Sequence, residues 1–267
     1  MAALRYRPAV RKLWPIEAGI PGQADVDLGA AYTADARPAP VDRPWVMVNM
    51  IASVDGSATD ASGLSGGLSG PADRRVFSAI RGVADIVLAG AKTVRSERYG
   101  PPRVDRSLQD ARVARGQARL PRVAVVTSSL DLDPDLPLFR EATPGRPLLL
   151  TTAASLERAP SAAVRRLATV GEIVEAGDRD LEWSRALAWL RTEAAAGVVL
   201  AEGGPSTNAQ LLAADLIDEL CLTVSPAVVG GDGRRIVHGT GPTMPRRLAL
   251  DRVLAEDDFL FLRYVRS

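Results

Sequence analysis

From position 45 onward, short apolar runs alternate with amphipathic stretches, and glycine-rich or Ser/Thr turns separate them. This rhythm predicts strands and helices in succession and a mostly parallel sheet covered on both faces. WVMVNMIAS (45–53), ADIVLAG (84–90), RVAVVT (122–127), PLLLTT (147–152), EIVEAG (172–177) and VVLA (198–201) read as buried strands, being short, apolar and rich in branched side chains. Ser69-Gly70-Pro71 is a helix-start signal, with proline tolerated in the first turn, and predicts a helix to about Arg81. Further helices are predicted to open at Ala91–Val94, to span Leu181–Gly197 with Gly197 as the cap, and to span Thr207–Ala214. ELCLTVSP (219–226) and FLFLRYV (259–265) arrive without full helices between them, which predicts antiparallel pairing. Read as uncovered edges, these two strands would invite a second copy and a homodimer. Val104–Arg119 reads as an exposed polar insertion. Residues 1–43, rich in Pro, Ala, Gly and Asp, lack either periodicity and read as an N-terminal extension before one mixed α/β domain at 44–267.

Charge and composition narrow the classes. With 33 Lys plus Arg against 32 Asp plus Glu in 267 residues, the net charge of +1 disfavours bulk electrostatic binding of nucleic acid or membrane. Hydrophobic residues at 46% and charged residues at 24% are ordinary for a folded globular chain. One cysteine, Cys221, and one histidine, His238, leave no internal disulfide and no Cys/His zinc cluster, so no metal is expected. Neither an apolar leader nor a run of about 18 apolar residues occurs, and a cytoplasmic, soluble protein is expected. No Walker A, HExxH or Ser/His/Asp arrangement is present, so common hydrolase mechanisms lack their players.

Glycine turns at strand ends carry the candidate chemistry. In Ala201-Glu202-Gly203-Gly204-Pro205-Ser206, two residues without Cβ let a phosphate approach the backbone, and the following helix start offers free N–H groups. A tight strand-to-helix turn accounts for the same residues. Leu88-Ala89-Gly90-Ala91-Lys92-Thr93 repeats the arrangement after another strand. Ligands of open α/β sheets sit beyond the carboxyl ends of strands, so two such turns suggest one dinucleotide bridging both. Thr127-Ser128-Ser129 offers hydroxyls for a ribose or its 2′-phosphate, or simply a turn, and Asp55 in Ser53-Val54-Asp55-Gly56 is either a reactive acid or an Asx-turn.

Taken in order, ASVDG, SGPADRRVFSAIRGVADIVLAGAKTVRSE, VVTSSLDLDPDLPLF, and VVLAEGGPSTNAQLL through DELCLTVSPAVVGGDG resemble the reductase domain at the C-terminus of bifunctional riboflavin-biosynthesis proteins. That domain belongs to the dihydrofolate-reductase-like superfamily, and the likeness covers residues 45–266. The resemblance implies a mixed twisted sheet flanked by helices and an NADPH-dependent reduction of 5-amino-6-(5-phosphoribosylamino)uracil. By matching position it implies cofactor contacts at Ala52, Gly90, Thr93, Glu97, Ser128, Val174, Gly203, Gly204, Pro205, Ser206 and Thr207. Substrate contacts are implied at Ser65, Arg81, Arg103 and Glu202, with Glu202 or Asp55 delivering or relaying the proton, directly or through water. Two departures stand out: Ser57 follows the SxDG motif where many members carry Lys or Arg, and Glu97 replaces an Asp. Because the phosphate site is altered, a pterin reductase such as one acting on dihydrofolate, and an NADPH-binding regulator without turnover, stand as alternatives.

Overall fold

The computed structural model describes residues 10–14, 26–141, 144–239 and 244–267. Within them the strands are β1 (Arg11–Trp14), β2 (Trp45–Ser53), β3 (Ile86–Gly90), β4 (Arg122–Val126), β5 (Leu148–Thr151), β6 (Glu172–Glu175), β7 (Val198–Ala201), β8 (Glu219–Ser225), β9 (Ala249–Glu256) and β10 (Phe259–Val265). The helices are α1 (Leu28–Ala34), α2 (Pro71–Arg81), α3 (Ala91–Ser96), α4 (Arg106–Ala114), α5 (Pro137–Arg140), α6 (Ala153–Arg158), α7 (Ser161–Val170), α8 (Trp183–Thr192) and α9 (Pro205–Ala213). All strands join one sheet in the order β1-β9-β10-β8-β2-β7-β3-β4-β5-β6. Pairing is parallel from β8 through β6 and antiparallel from β8 outward to β1.

Alternation along the central strands explains why both faces are covered. In β2, Val46 and Val48 join the core under α8 and α9, with Leu187, Leu190 and Leu211, while Met47 points into the core under α2, with Val76 and Ile80. β3 splits likewise, with Ile86 and Leu88 on the first side and Val87 on the second. A strand buried on both faces reads as an unbroken apolar run, which is why the sequence pattern identified these strands. The chain runs from β3 outward to β6, then returns to insert β7 between β2 and β3. A crevice therefore opens at the carboxyl ends of β2, β7 and β3.

Several expectations are corrected here. ELCLTVSP and FLFLRYV form β8 and β10, but β8 lies between β10 and β2, and β10 lies between β9 and β8, so neither is an edge open to a second copy. The outer neighbour of β10 is β9, whose alternation is masked by Asp251 and Arg252 and which turns into β10 through Asp257-Asp258, both at positive φ. Two consecutive residues in that conformation are the mark of a two-residue hairpin turn. Val104–Arg119 is not merely exposed: α4 inserts Arg112, 1% exposed, to donate to the carbonyls of Ala84 and Ala118. The helix of 181–197 is confined to Trp183–Thr192, and Gly197 instead donates its N–H to Asp85.

Parts of the patternless extension 1–43 carry regular structure, and its residues 1–9 and 15–25 lie outside the described set. β1 pairs with β9, and Arg37 reaches the fully buried Glu219 on β8 at 2.9 and 3.0 Å. Arg263 and the Trp45 indole N–H also donate to Glu219. Burial alone would raise the pKa of Glu219, but Arg263 and Arg37 together pull it below its ordinary value.

Candidate active site

A cleft of about 990 Å³ opens along the carboxyl ends of β2, β7, β3, β4 and β5, where Met50, Glu202, Gly90, Thr127 and Thr151 line it. Its centre is the pair of glycine turns. Gly90 donates its N–H to the carbonyl of Gly203 at 2.9 Å, and Glu202 donates to the carbonyl of Leu88 at 2.9 Å. Gly203 has φ of +91° and the Gly203–Gly204 peptide is cis. A Cβ on Gly204 would lie 2.9 Å from the Thr93 hydroxyl, and one on Gly90 would lie 2.9 Å from the Thr207 hydroxyl. Side chains at either position would close the crossing between the turns. Gly204 also caps α9: its carbonyl accepts from the N–H groups of Thr207 and Asn208 at 2.9 and 3.2 Å, and Pro205 opens the helix without an N–H of its own.

Gly90, Thr93, Glu97, Ser128, Gly203, Gly204, Pro205, Ser206 and Thr207 all line this one space, as do Ser65 and Glu202. Glu97 accepts from the Ser65 N–H and hydroxyl, each at 3.2 Å, tying the 63–67 loop to the end of α3. Beyond β4 and β5 the cleft continues past Ser128 to Arg158 and Arg179. Thr151 Oγ1 is buried there without a hydrogen-bond partner among the described residues. An elongated groove with a glycine crossing at its middle, an unsatisfied hydroxyl and two guanidiniums at one end fits a dinucleotide carrying an extra phosphate.

The floor of the cleft is a buried charge cluster. Arg81 donates from Nε and Nη2 to the two Glu202 oxygens, each at 2.7 Å, and the Tyr99 hydroxyl donates to Glu202 in a very short contact. Glu202 is 4% exposed and Arg81 12%, and Arg81 stacks on Phe77 at 3.9 Å. Burial by itself would lower the Arg81 pKa, yet Glu202 and Tyr99 hold it above its ordinary value. Burial first, and then the neighbouring carboxylate, raise the pKa of Tyr99, so the phenol keeps its proton and donates a hydrogen bond to Glu202. Tyr99 carries no motif of its own, so its role became visible only in three dimensions.

Other expected residues sit elsewhere. Val174, on β6, is 4% exposed and packs into the core beside Trp183 and Leu187 rather than lining the cleft. Ala52 is buried in β2, and the β2 side chain facing the cleft is Met50. Arg103 is exposed and outside the cleft lining, and the Arg81 guanidinium is engaged by Glu202 rather than turned to a ligand. Asp55 accepts from the Ser53 hydroxyl at 2.5 Å and from the N–H groups of Val229 and Gly230 at 3.2 and 2.7 Å. These bonds, led by that of Ser53, lower its pKa to about 2. Asp55 is therefore an ionised anchor for the 226–239 loop, unsuited to deliver a proton at neutral pH. Nothing in the local sequence around Arg158 and Arg179 marks them as cleft residues, although PLLLTT ends in the same hydroxyl signature as RVAVVT.

Comparison with known proteins agrees with this architecture. The model of the RibD C-terminal domain matches residues 44–258. The 2,5-diamino-6-ribosylamino-4(3H)-pyrimidinone 5′-phosphate reductase of Methanothermobacter thermautotrophicus is 30% identical over 200 residues, covering 74% of this chain and 86% of that protein. Among solved structures, a pyrimidine reductase-like protein from Corynebacterium diphtheriae superposes with a TM-score of 0.77 at 25% identity, covering 90% of this chain and 98% of that one. RibD of Acinetobacter baumannii shares the fold with a TM-score of 0.67 at 19% identity, over 85% of this chain and 59% of that one. The chain belongs to the RibD C-terminal domain family, the riboflavin-biosynthesis reductase family that its four separated motifs resemble.

Proposed function

We propose that this protein is an NADPH-dependent reductase that converts a 6-(5-phosphoribosylamino)pyrimidine of riboflavin biosynthesis to its ribitylamino product. The observation that carries the reading is the Gly90–Gly203 hydrogen bond, which joins two glycine turns above a floor built on Glu202. NADPH, when bound, supplies the hydride for C1′ of the ring-opened imine, and the imine nitrogen gains a proton. The chain contributes placement: the glycine crossing and the α9 N-terminus are suited to a diphosphate, and Met50 at the β2 end closes the cleft floor beside Glu202. Glu202, fixed by Arg81 and Tyr99, accepts from and so orients a water or substrate hydroxyl that delivers the proton.

NADPH is favoured over NADH by Arg158 and Arg179 beside the unsatisfied Thr151 hydroxyl, since guanidiniums make bidentate bonds to phosphate. The same reading has the enzyme in the cytoplasm, where the buried Cys221 thiol stays reduced, and as a homodimer. Leu13, Trp14, Leu250 and Leu260, exposed on the outer strands, supply apolar surface for such contact, and sedimentation at the monomer mass would remove the dimer.

Steady-state NADPH oxidation tests the function. The expected result is turnover with 5-amino-6-(5-phosphoribosylamino)uracil or with its 2-amino counterpart, the compound named for the Methanothermobacter relative, and none with dihydrofolate. Turnover with dihydrofolate alone, or NADPH binding with no turnover of any of the three, overturns it. Equal dissociation constants for NADPH and NADH in calorimetry contradict the cofactor assignment.

A further inference from the structure

The segment 105–117, made of α4 and its flanks, grips the end of α2 and the entry to β3. At its start the Asp105 N–H donates to the Ser78 hydroxyl at 2.8 Å. Leu108 packs against the cap of α2, where a Cβ on Gly82 would lie 3.6 Å from the Leu108 Cβ. Arg112 donates from Nη1 to the carbonyls of Arg81 and Gly82, each at 3.3 Å, and to that of Ala84. Its Nε donates to the Ala118 carbonyl at 2.8 Å, which ties the segment to its own exit. Arg115 Nη2 adds a bond to the Gly82 carbonyl at 2.8 Å, and Gln117 Nε2 reaches Asp85 Oδ1 at 2.7 Å. Asp85 in turn holds the N–H groups of Gly197 and Val198 at the start of β7.

The Arg112 charge has an exceptional setting. Arg112 is 1% exposed, and each of its hydrogen bonds ends on a main-chain carbonyl, with no carboxylate paired to it among the described residues. Burial lowers its pKa to about 10, although Asp85 acts in the opposite sense. The negative end of the α2 dipole stands where a carboxylate would, since the last carbonyls of a helix have no donor within it. An apolar side chain would fill the same space without the cost of burying a charge, but it would leave the carbonyls of 81, 82 and 84 without this donor. Those carbonyls carry the cleft floor. Arg81 is the last residue of α2, and its main chain is held by Arg112 while its side chain is held by Glu202, Tyr99 and Phe77. Arg112 thus acts from the amino end of β3, and Arg81 spans the distance to Glu202 at the carboxyl end of β7.

We propose that Arg112 is a positioning residue for the reduction: by fixing the last turn of α2 it sets where the Arg81 guanidinium meets Glu202, and so how Glu202 faces the proton-delivering water or hydroxyl. This rests on the pyrimidine-reductase reading above and adds to it a residue outside the cleft lining. Displacing a group at the reacting centre by about 1 Å costs up to about 100-fold in rate. The loss of Arg112 is therefore expected in turnover. Cofactor affinity is expected to stay, because the bond between Gly90 and Gly203 that joins the glycine turns does not involve α2.

The test compares wild type, Arg112→Met, Arg112→Lys and Arg119→Ala, the last removing only the exposed pair that Arg119 makes with Asp110 on α4. Kinetics with 5-amino-6-(5-phosphoribosylamino)uracil are measured well below each melting temperature, and NADPH binding by calorimetry. Arg112→Met is expected to lower kcat about 10- to 100-fold, with a smaller change in KM and the NADPH dissociation constant unchanged. Arg112→Lys should recover part of the loss, since it keeps the charge at the helix end without the fork that reaches several carbonyls. Arg119→Ala should match wild type. If Arg112→Met does not fold, Arg112→Lys carries the test, with kcat lowered and NADPH affinity intact. A fall in melting temperature with kcat unchanged, a loss of NADPH affinity equal to the loss of kcat, or an equal loss in Arg119→Ala would each overturn the assignment. Wild-type protein that turns over neither this pyrimidine nor its 2-amino counterpart would instead defeat the functional reading on which it stands.

Discussion

The N–H of Gly90 donates to the carbonyl of Gly203 across 2.9 Å, so the exits of β3 and β7 form one hydrogen-bonded unit although 113 residues separate them in sequence. The bond brings the helix that follows β7 and the loop that follows β3 onto the same point of the cleft. Neither turn tolerates a Cβ without meeting a hydroxyl of the other, Thr93 or Thr207, at 2.9 Å.

Gly204→Asp should therefore abolish tight cofactor binding while the fold persists. The new carboxylate would face a diphosphate at close range, and like-charge apposition of that kind costs several kcal/mol, or about 100-fold or more in affinity. Calorimetry with NADPH, alongside circular dichroism, checks this. Normal binding would mean that the turn serves only the chain direction.

The Arg81–Glu202 pair makes a coupled prediction about stability. Arg81→Met leaves a buried carboxylate with Tyr99 as its remaining partner, and breaking a buried pair from one side costs about 3–5 kcal/mol. Arg81→Met combined with Glu202→Gln should regain a large part of that loss, because no uncompensated charge remains. Urea denaturation of both singles and the double gives the cycle. Strictly additive losses would show that the two side chains are energetically independent. The double variant should still be inactive as a reductase, since the oriented acceptor on the cleft floor is gone.

Glu219 serves as a structural counterpart without contact with the cleft. Glu219→Gln strands Arg37 and Arg263 in a buried setting and should destabilise the protein by about 3–5 kcal/mol. The pKa of Glu219 is lowered in the folded state, so its contribution is complete above the ordinary carboxylate range and disappears as pH falls through the depressed folded value. Thermal melts of wild type and variant should accordingly converge in strong acid. A constant gap between them down to that range would contradict the ion-pair account.

Asp55 supplies a local, site-resolved pH signature. Its pKa falls from 3.8 to about 2, so its grip on the Val229 and Gly230 amides is full above about pH 4 and is released as pH drops towards 2. The amide resonances of Val229 and Gly230 should titrate together with a midpoint near that lower value. Asp55→Asn should erase the titration. Titration at the ordinary carboxylate value would show that the bonds to the loop do not persist in solution.

Much of the site was legible because its requirements are local. Buried parallel strands read as apolar runs, and the turns at Gly90 and Gly203-Gly204 declare themselves because only residues without a Cβ allow such close approach. The four motifs in order carried the family. What could not be read was where distant pieces land. Val174 has the same apolar character whether it lines a cleft or fills the core, and Ser128 has the same character in a turn or beside a ligand. β10 looks like an edge until β9, disguised by its charged residues, is placed beside it, and β8 until it is set between β10 and β2.

The amino-acid sequence alone determined the parallel strands β2 to β7, the two bends and the reductase family, since backbone conformation and side-chain periodicity act over a few residues. Tertiary structure alone decided that Arg81 and Glu202, 121 positions apart, meet as a pair, that Gly233 comes over Ser57, and that Asp55 holds the loop after β8. Burial and charge pairing depend on which segments the sheet order brings together, and that order comes from summed long-range packing that no local stretch encodes.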